Sequence, residues 1–396
     1  QGAFGNNYTR TFEENERILN IELFRPINNI EDWKQISVSP NENYMLMQDL
    51  DFMNYSNDII INTTYRGKLN GNGHTIKNIN TTGAIFPTFY GTLTNIHLEN
   101  ITMTSTYPGI INNTNNQTKI QDVHINKMNI IITTKNENRV GAIASYLNGG
   151  SIQDCSVRDL NVQITNGTTS YVGGIVGHTS GGNIKNCYVQ NAKINISNVE
   201  VSYGIGGIVG SGVSFARIEN CYTQGEIISN TPNVGGIIGV AQDSSVLNCY
   251  SLMNLESMSN FIGGIIGQEN ITSSGEASGN LALGDIYQKS NLEYPNRIIG
   301  SENDYTGNYA YNRQRINGFI SNDVRDAILL SKEQLSNSNT YTNILNWGNA
   351  YDYRKVEEGI LPKLYYADTQ TLLPYQEDIF IEEESNLNIE EIEVNK

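Results

Sequence analysis

From Val140 to Gly267 the chain runs in short apolar stretches broken by single glycine or polar positions, and the break pattern itself repeats. One phrase, Val172-Gly173-Gly174-Ile175-Val176-Gly177, returns as Ile205-Gly206-Gly207-Ile208-Val209-Gly210, Val234-Gly235-Gly236-Ile237-Ile238-Gly239 and Ile262-Gly263-Gly264-Ile265-Ile266-Gly267. Val140-Gly141-Ala142-Ile143-Ala144 is an earlier variant. The first glycines, at 141, 173, 206, 235 and 263, are spaced 32, 33, 29 and 28 residues apart. A second phrase follows each of the first four: Ile152-Gln153-Asp154-Cys155-Ser156-Val157, Ile184-Lys185-Asn186-Cys187-Tyr188-Val189, Ile218-Glu219-Asn220-Cys221-Tyr222-Thr223 and Val246-Leu247-Asn248-Cys249-Tyr250-Ser251. Two phrases in fixed order, at a period of about 30 residues, predict a stack of like units.

The apolar positions show no three-to-four spacing over ten or more residues, so the units are not helical. Runs rich in Val and Ile, cut by Gly, Asn and Ser, read as strands and turns. A unit of about 30 residues holds three short strands and three turns, one coil of a solenoid. The expected fold is all-β: a right-handed parallel β-helix of about seven to nine coils, with short helical and strand caps at both ends. Equivalent residues then stack about 4.8 Å apart, and stacking buries a core that no single coil could bury.

Period-two alternation assigns the columns. Ile152, Cys155 and Val157 point inward, and Gln153, Ser156 and Arg158 outward. Asp154 is left at a bend, in a column of Asn95, Asp122, Asp154, Asn186, Asn220 and Asn248. Asn and Asp tolerate left-handed backbone, and their side chains can bond from coil to coil. The inward column reads Ile96, Val123, Cys155, Cys187, Cys221, Cys249, so the pattern extends upstream. Cys155, Cys187, Cys221 and Cys249, with Asn186, Asn220 and Asn248, form the expected structural ladder. Parallel Cβ vectors suit disulfide geometry poorly, and the thiols are expected to be reduced and buried. The paired glycines fit a corner where Cβ atoms would collide. They are not a phosphate loop, since no phosphate-binding Lys and no long helix come after them.

The flanks divide the chain. Residues 1–29 form a polar segment, expected to be partly helical around Glu13 to Leu23. Residues 30–79 form an N-terminal cap of a short helix, a strand over Tyr44 to Phe52, and a hairpin across Asn70-Gly71-Asn72-Gly73. Residues 80–310 are the coils. Residues 311–376 are a C-terminal cap, with helical stretches at Ser321 to Ala327 and after a Ser331 cap. Residues 377–396 are an acidic tail or linker. A chain that opens on Gln1 is expected to be a piece of a longer one.

Charge narrows the partners. A net charge of −16 disfavours nucleic acid and anionic membrane surfaces. No run of eighteen apolar residues exists to span a membrane. Four candidate chemistries remain. Tyr188, Tyr222 and Tyr250 share an outward column that reads either as a recognition stripe for protein or sugar, or as stacking for stability. His97 and His124 share the same column upstream, and they read as an ordinary exposed stack, since no third metal ligand joins them. No Ser/His/Asp set and no nucleophile elbow is evident. A polysaccharide-cleaving β-helix would need clustered carboxylates on one face, and the outward column Thr94, Gln121, Gln153, Lys185, Glu219, Leu247 has no acid pair. The chain itself is therefore expected to have no catalytic residue, no metal site and no cofactor.

The phrases Gly-Gly-Ile-Val-Gly and Asn-Cys-Tyr resemble GLUG motifs of bacterial surface proteins. Tyr65 to Ile76 looks like the lead-in to such repeats. Leu361-Pro362-Lys363-Leu364 and Leu373 to Ile379 look like the segments downstream of the repeats in Gram-positive immunoglobulin A1 proteases and related zinc metallopeptidases. The resemblance covers roughly residues 30–380. It implies an extracellular, secreted or cell-wall module, monomeric, that spaces the parent enzyme and helps hold a protein substrate such as immunoglobulin A1. Family catalysis needs H-E-x-x-H, and none of His74, His97, His124 and His178 is followed by Glu. Zinc is thus expected only in a catalytic domain outside this chain. A surface adhesin or stalk, and a carbohydrate-active β-helix, are the rival readings.

Overall fold

The computed structural model describes residues 22–270, 275–289, 295–301, 307–320, 327–368 and 370–374, together with the short strands Glu13–Glu14 and Arg17–Ile18. It is a parallel β-solenoid of about 7 turns. Three sheets run along its axis. The long sheet carries Thr92–Met103, Lys119–Ile132, Ser156–Ile164, Tyr188–Ile196, Tyr222–Ser229 and Tyr250–Ser257. A second holds seven strands, from Phe86–Thr88 to Ile266–Asn270. A third holds five, from Glu137–Gly141 to Ile262–Gly263.

The expected register holds position by position. Ile152 pairs with Ile184, Ile184 with Ile218, and Ile218 with Val246. Ile152, Cys155 and Val157 are fully buried, as are Cys187, Cys221 and Cys249. All four cysteines are free, and each thiol lies 3.1–3.3 Å from the carbonyl two residues before it. Burial pushes the Cys187 and Cys249 thiols up, away from the reactive thiolate.

Each bend residue is left-handed: φ is 53° at Asn95, 57° at Asp122, 55° at Asp154, 52° at Asn186, 53° at Asn220 and 55° at Asn248. A second left-handed column, unforeseen from the pattern, comes five residues later at Asn100, Lys127, Asp159 and Asn191, with φ of 54°, 61°, 52° and 55°. It too is bonded between coils, Asn191 Nδ2 donating to Asp159 Oδ1 at 3.1 Å.

The glycine phrase makes the corner between the third and second sheets. A Cβ on Gly173 would stand 2.0 Å from the Val176 carbonyl oxygen, and one on Gly206 2.1 Å from that of Val209. A Cβ on Gly174 would meet the Gly207 oxygen of the next coil at 2.3 Å. No side chain fits at those distances, which explains why the pair recurs.

The N-terminal end closes as a cap. Asn29 accepts the Asp32 amide at the start of helix Ile30–Val38. That helix buries Trp33 and Ile36, and Trp33 Nε1 donates to the Ile59 carbonyl at 3.0 Å. The Trp33 ring lies 6.1 Å from both Phe52 and Phe86, over the mouth of the core.

Four expectations change. Lys68–Asn70 and Thr75–Thr81 are not a hairpin: both pair in parallel with Thr92–Met103, as successive strands of one coil. Asn72, at φ 52°, bends the chain without reversing it. Tyr44 to Phe52 splits into Tyr44–Leu46 and Leu50–Asp51, and parallel pairing already begins at Arg25–Ile27, well before residue 80. Glu13–Glu14 pairs antiparallel with Arg17–Ile18 where a helix was expected. The helix after Ser331 is present as Lys332–Leu335 with a full capping box. Most of the helix expected at Ser321 to Ala327, and the acidic segment 377–396, lie outside the described residues.

The C-terminal segment is more than an end cap. After Ile328–Leu330 pairs with Tyr309–Tyr311, the chain turns back and runs along the outside of the long sheet. Trp347 Nε1 donates to the Gly279 carbonyl at 2.6 Å, the Tyr351 hydroxyl to Asn248 O at 2.9 Å, and the Tyr366 hydroxyl reaches Cys155 O at 2.9 Å. The contacts thus step back over three to four coils. This segment carries a second apolar core of its own, separate from that inside the coils.

Candidate recognition surfaces

The long-sheet flank is built from the outward column of the second phrase. Tyr188 and Tyr222 stack with ring centroids 4.9 Å apart, and Tyr222 and Tyr250 at 4.8 Å, both pairs within 2° of parallel. The column therefore points outward as the alternation requires. It is not exposed: Tyr188 is 2% accessible, and Tyr222 and Tyr250 0%. The returning segment lies over it, with Trp347 and Tyr351 packed on Tyr250 and Tyr366 on Tyr188. The expected open stripe is thus an internal seam. Its cover comes from residues more than 90 positions later, which local periodicity cannot reveal.

His97 and His124 do stack, at 5.3 Å. His124 is also the centre of a row that the sequence hid. Its Nε2 is 2.9 Å from Asp122 Oδ1 and its Nδ1 2.9 Å from Ser156 Oγ. Asp122 sits at the bend, His124 two residues on, and Ser156 one coil higher, opposite His124 in the ladder. A Ser/His/Asp set therefore exists, contrary to expectation. Ser156 is 2% accessible, and its strand neighbours on both sides are committed to the parallel ladder. The Tyr366 ring stands between His124 and Tyr188, 5.5 and 5.8 Å from them, in the gap left by this small residue. Burial, followed by the nearby His124, pulls the His97 pKa down.

A different cluster is only partly covered by the described residues. At the glycine corner the outward faces of the second and third sheets approach each other. The Arg139 guanidinium lies over Tyr146 at 5.4 Å and over Tyr171 at 5.6 Å, and pairs with Glu137 at 2.8 Å. Tyr146 stacks on His178 at 5.3 Å, and Tyr171 on Tyr203 at 5.1 Å. Tyr203 is 49% accessible at the end of the row. Burial, and then Arg139, holds His178 down at about 4, so it is neutral at pH 7. Burial raises the Tyr171 phenol. The Arg139 Nε is buried with no hydrogen-bond partner among the described residues. The glycines let the two faces come this close, so the cluster depends on the corner. A signal for it was present: Arg139, Tyr171 and Tyr203 recur 32 residues apart, just before the glycine phrase.

Comparison with known proteins agrees with the repeat. The family model of the GLUG motif matches residues 168–195, which contain one glycine phrase and its Asn-Cys-Tyr. The matched segment is one coil of the β-helix, and its two phrases recur in the neighbouring coils. No curated protein matches the chain. Among solved structures, this β-helix is similar to a candidate immunoglobulin A1 protease from Bacteroides ovatus, with a TM-score of 0.53 and 19% identity over 87% of this chain and 93% of that one. A structure named IgA1 Protease is also similar, with a TM-score of 0.49 and 19% identity over 73% of this chain and 21% of that one. At such identities the likeness concerns the fold. No helix among the described residues is long and apolar enough to cross a membrane.

Proposed function

We propose that the GLUG-repeat β-helix is a non-catalytic, extracellular module of a larger immunoglobulin A1 protease-like zinc metallopeptidase, holding a protein substrate on its glycine-corner face while fixing the position of neighbouring parts. The observation that carries this is the Arg139–Tyr146–Tyr171–His178–Tyr203 row. Tyr and Arg are enriched at the energetically important centres of protein interfaces, Tyr because it offers large rigid area at low entropic cost and Arg because its planar fork makes several directed hydrogen bonds. Here the ladder and the glycine corner hold them in place before any partner arrives, which lowers the ordering cost of binding. The name of the similar Bacteroides ovatus structure supports immunoglobulin A1 as the substrate to test first. Zinc chemistry belongs to a catalytic domain outside these coils.

The test is binding of the chain to immobilised immunoglobulin A1, with the variants Arg139→Ala and Tyr171→Ala. Saturable binding that weakens at least about tenfold in both variants supports the reading, as loss of a central Tyr or Arg anchor should. Binding unchanged by either variant moves recognition to another face. No binding removes the substrate-holding role.

A further inference from the structure

We propose that the tip of the returning segment, residues 361–374, is a releasable strap latched by Tyr366, and that its release bares a socket for a tyrosine of an extended peptide. This stands independently of the protease reading.

The socket arises from the bend column. A left-handed residue turns its carbonyl out of the inter-coil ladder, and an outward carbonyl beneath a covering segment needs a donor. Two tyrosines of the returning segment, one in the strap and one in its root, supply donors at alternate bends. The Tyr366 hydroxyl lies 2.7 Å from Asn186 O and 2.9 Å from Cys155 O, and the Tyr351 hydroxyl lies 2.9 Å from Asn248 O. Tyr366 also has a fitted space. In its column His124 and Tyr188 are large and Ser156 between them is small, so one ring enters where the ladder is interrupted. Two residues on, Asp368 pairs with Arg158 at 3.1 Å. The site thus reads a tyrosine ring, its hydroxyl, and a carboxylate two positions later.

Root and tip both pack on the coils through side chains. At the root Tyr341, Leu345, Trp347 and Tyr351 are at most 3% accessible. At the tip Leu361, Leu364, Ala367 and Leu373 are also buried, at 1–8%, whereas Tyr365 is 64% accessible and Leu372 68%. The tip's β pairing is confined to the returning segment itself: Lys363–Leu364 pairs with Tyr351–Asp352, and Ile360 bridges Leu372. Side-chain bonds tie the tip to the coils: Tyr366, the exposed Arg158–Asp368 pair, a 3.5 Å contact between Thr371 and Gln190, and Tyr250 donating to Pro362 O at 2.7 Å. A segment packed through side chains alone, with no backbone ladder shared with the coils, opens more readily than the laddered coils beneath it.

Hydrogen–deuterium exchange on the full chain, with a synthetic peptide of residues 361–374 as probe, tests both halves. Tyr366→Ala should speed exchange across 361–374 by about tenfold or more and leave 184–196 unchanged. The peptide should bind Tyr366→Ala at least about tenfold more tightly than the native chain, and adding Ser156→Phe, which fills the gap, should abolish that binding. If Tyr366→Ala does not fold, Tyr366→Phe, which keeps the ring and loses only the hydroxyl bonds, should show the same two effects at smaller size. Unchanged exchange in the folded variant overturns the latch. Peptide binding that is absent, equal in native and variant chains, or indifferent to Ser156→Phe overturns the socket.

Discussion

Asn220 donates its Nδ2 hydrogen to Oδ1 of Asn186 across 3.1 Å, although 34 residues separate them in the chain. Asn186 in turn donates to Asp154 Oδ1 at 3.0 Å. The same side chains that permit the left-handed bend also join successive bends. Asn186→Ala removes both contributions, about 1 kcal/mol of backbone strain relief and about 1 kcal/mol per lost bond. A total loss of about 2–3 kcal/mol is expected in chemical denaturation. Asn186→Gly keeps the bend and should cost less than the Ala variant. If the two variants are equally destabilised, the backbone part of this account is wrong.

At the glycine corner, a Cβ on Gly207 would lie 2.3 Å from the Gly236 oxygen and 2.7 Å from Thr223 Cγ2. Gly207→Ala must push two coils apart where backbone meets backbone, so it should cost several kcal/mol or prevent folding. Gly307, with nothing within 4 Å of its ideal Cβ but φ of 85°, should cost only about 1 kcal/mol as Ala. Comparing the soluble yield and melting temperature of the two variants checks this order.

His178 gives an acid-side test. Its pKa is about 4 in the folded chain against about 6.5 when unfolded. Between these values the unfolded chain binds the extra proton, so the contribution is intact above about pH 6.5 and is lost as pH falls toward 4. After discounting for its partial exposure, the loss is on the order of 2 kcal/mol. His178→Phe, which preserves a ring against Tyr146, should flatten the denaturation midpoint between pH 6.5 and 4 relative to the native chain. Parallel pH profiles would refute the assignment.

The covered tyrosines give the alkaline counterpart. Burial raises the phenols of Tyr250, Tyr351 and Tyr366 well above the ordinary value near 10. Above that pH the folded chain holds protons that the unfolded chain has released, so stability falls as pH rises. Tyrosinate absorbance from the seam should therefore appear only together with loss of the far-ultraviolet β signal. Ionisation of all 23 tyrosines in one step near pH 10, with the fold intact, would contradict a sealed seam.

Periodicity in the chain was enough to determine the coil, its inward cysteines, the left-handed Asn/Asp bends and the glycine corner. Each of these is set by a residue and its neighbour one coil away, and that neighbour carries the same residue type at a fixed spacing. The helix at Ile30–Val38 was legible for a similar reason, since Ile30, Trp33 and Ile36 at helical spacing are a local signal, whereas its Asn29 cap emerged only in the structure. The Asn70-Gly71-Asn72-Gly73 turn was misread because a left-handed Asn can reverse a chain or merely bend it, and the choice falls to the strand it docks on, Thr92–Met103. Tertiary structure alone decided what happens outside the coils. Alternation shows that Tyr188, Tyr222 and Tyr250 face outward, but outward means exposed only if nothing returns to cover them. Tyr366 does so from 180 residues beyond Asn186. Likewise, Arg139 meets Tyr146 and Tyr171 only because two sheets fold sharply toward each other at glycines, an angle that spacing along the chain does not encode.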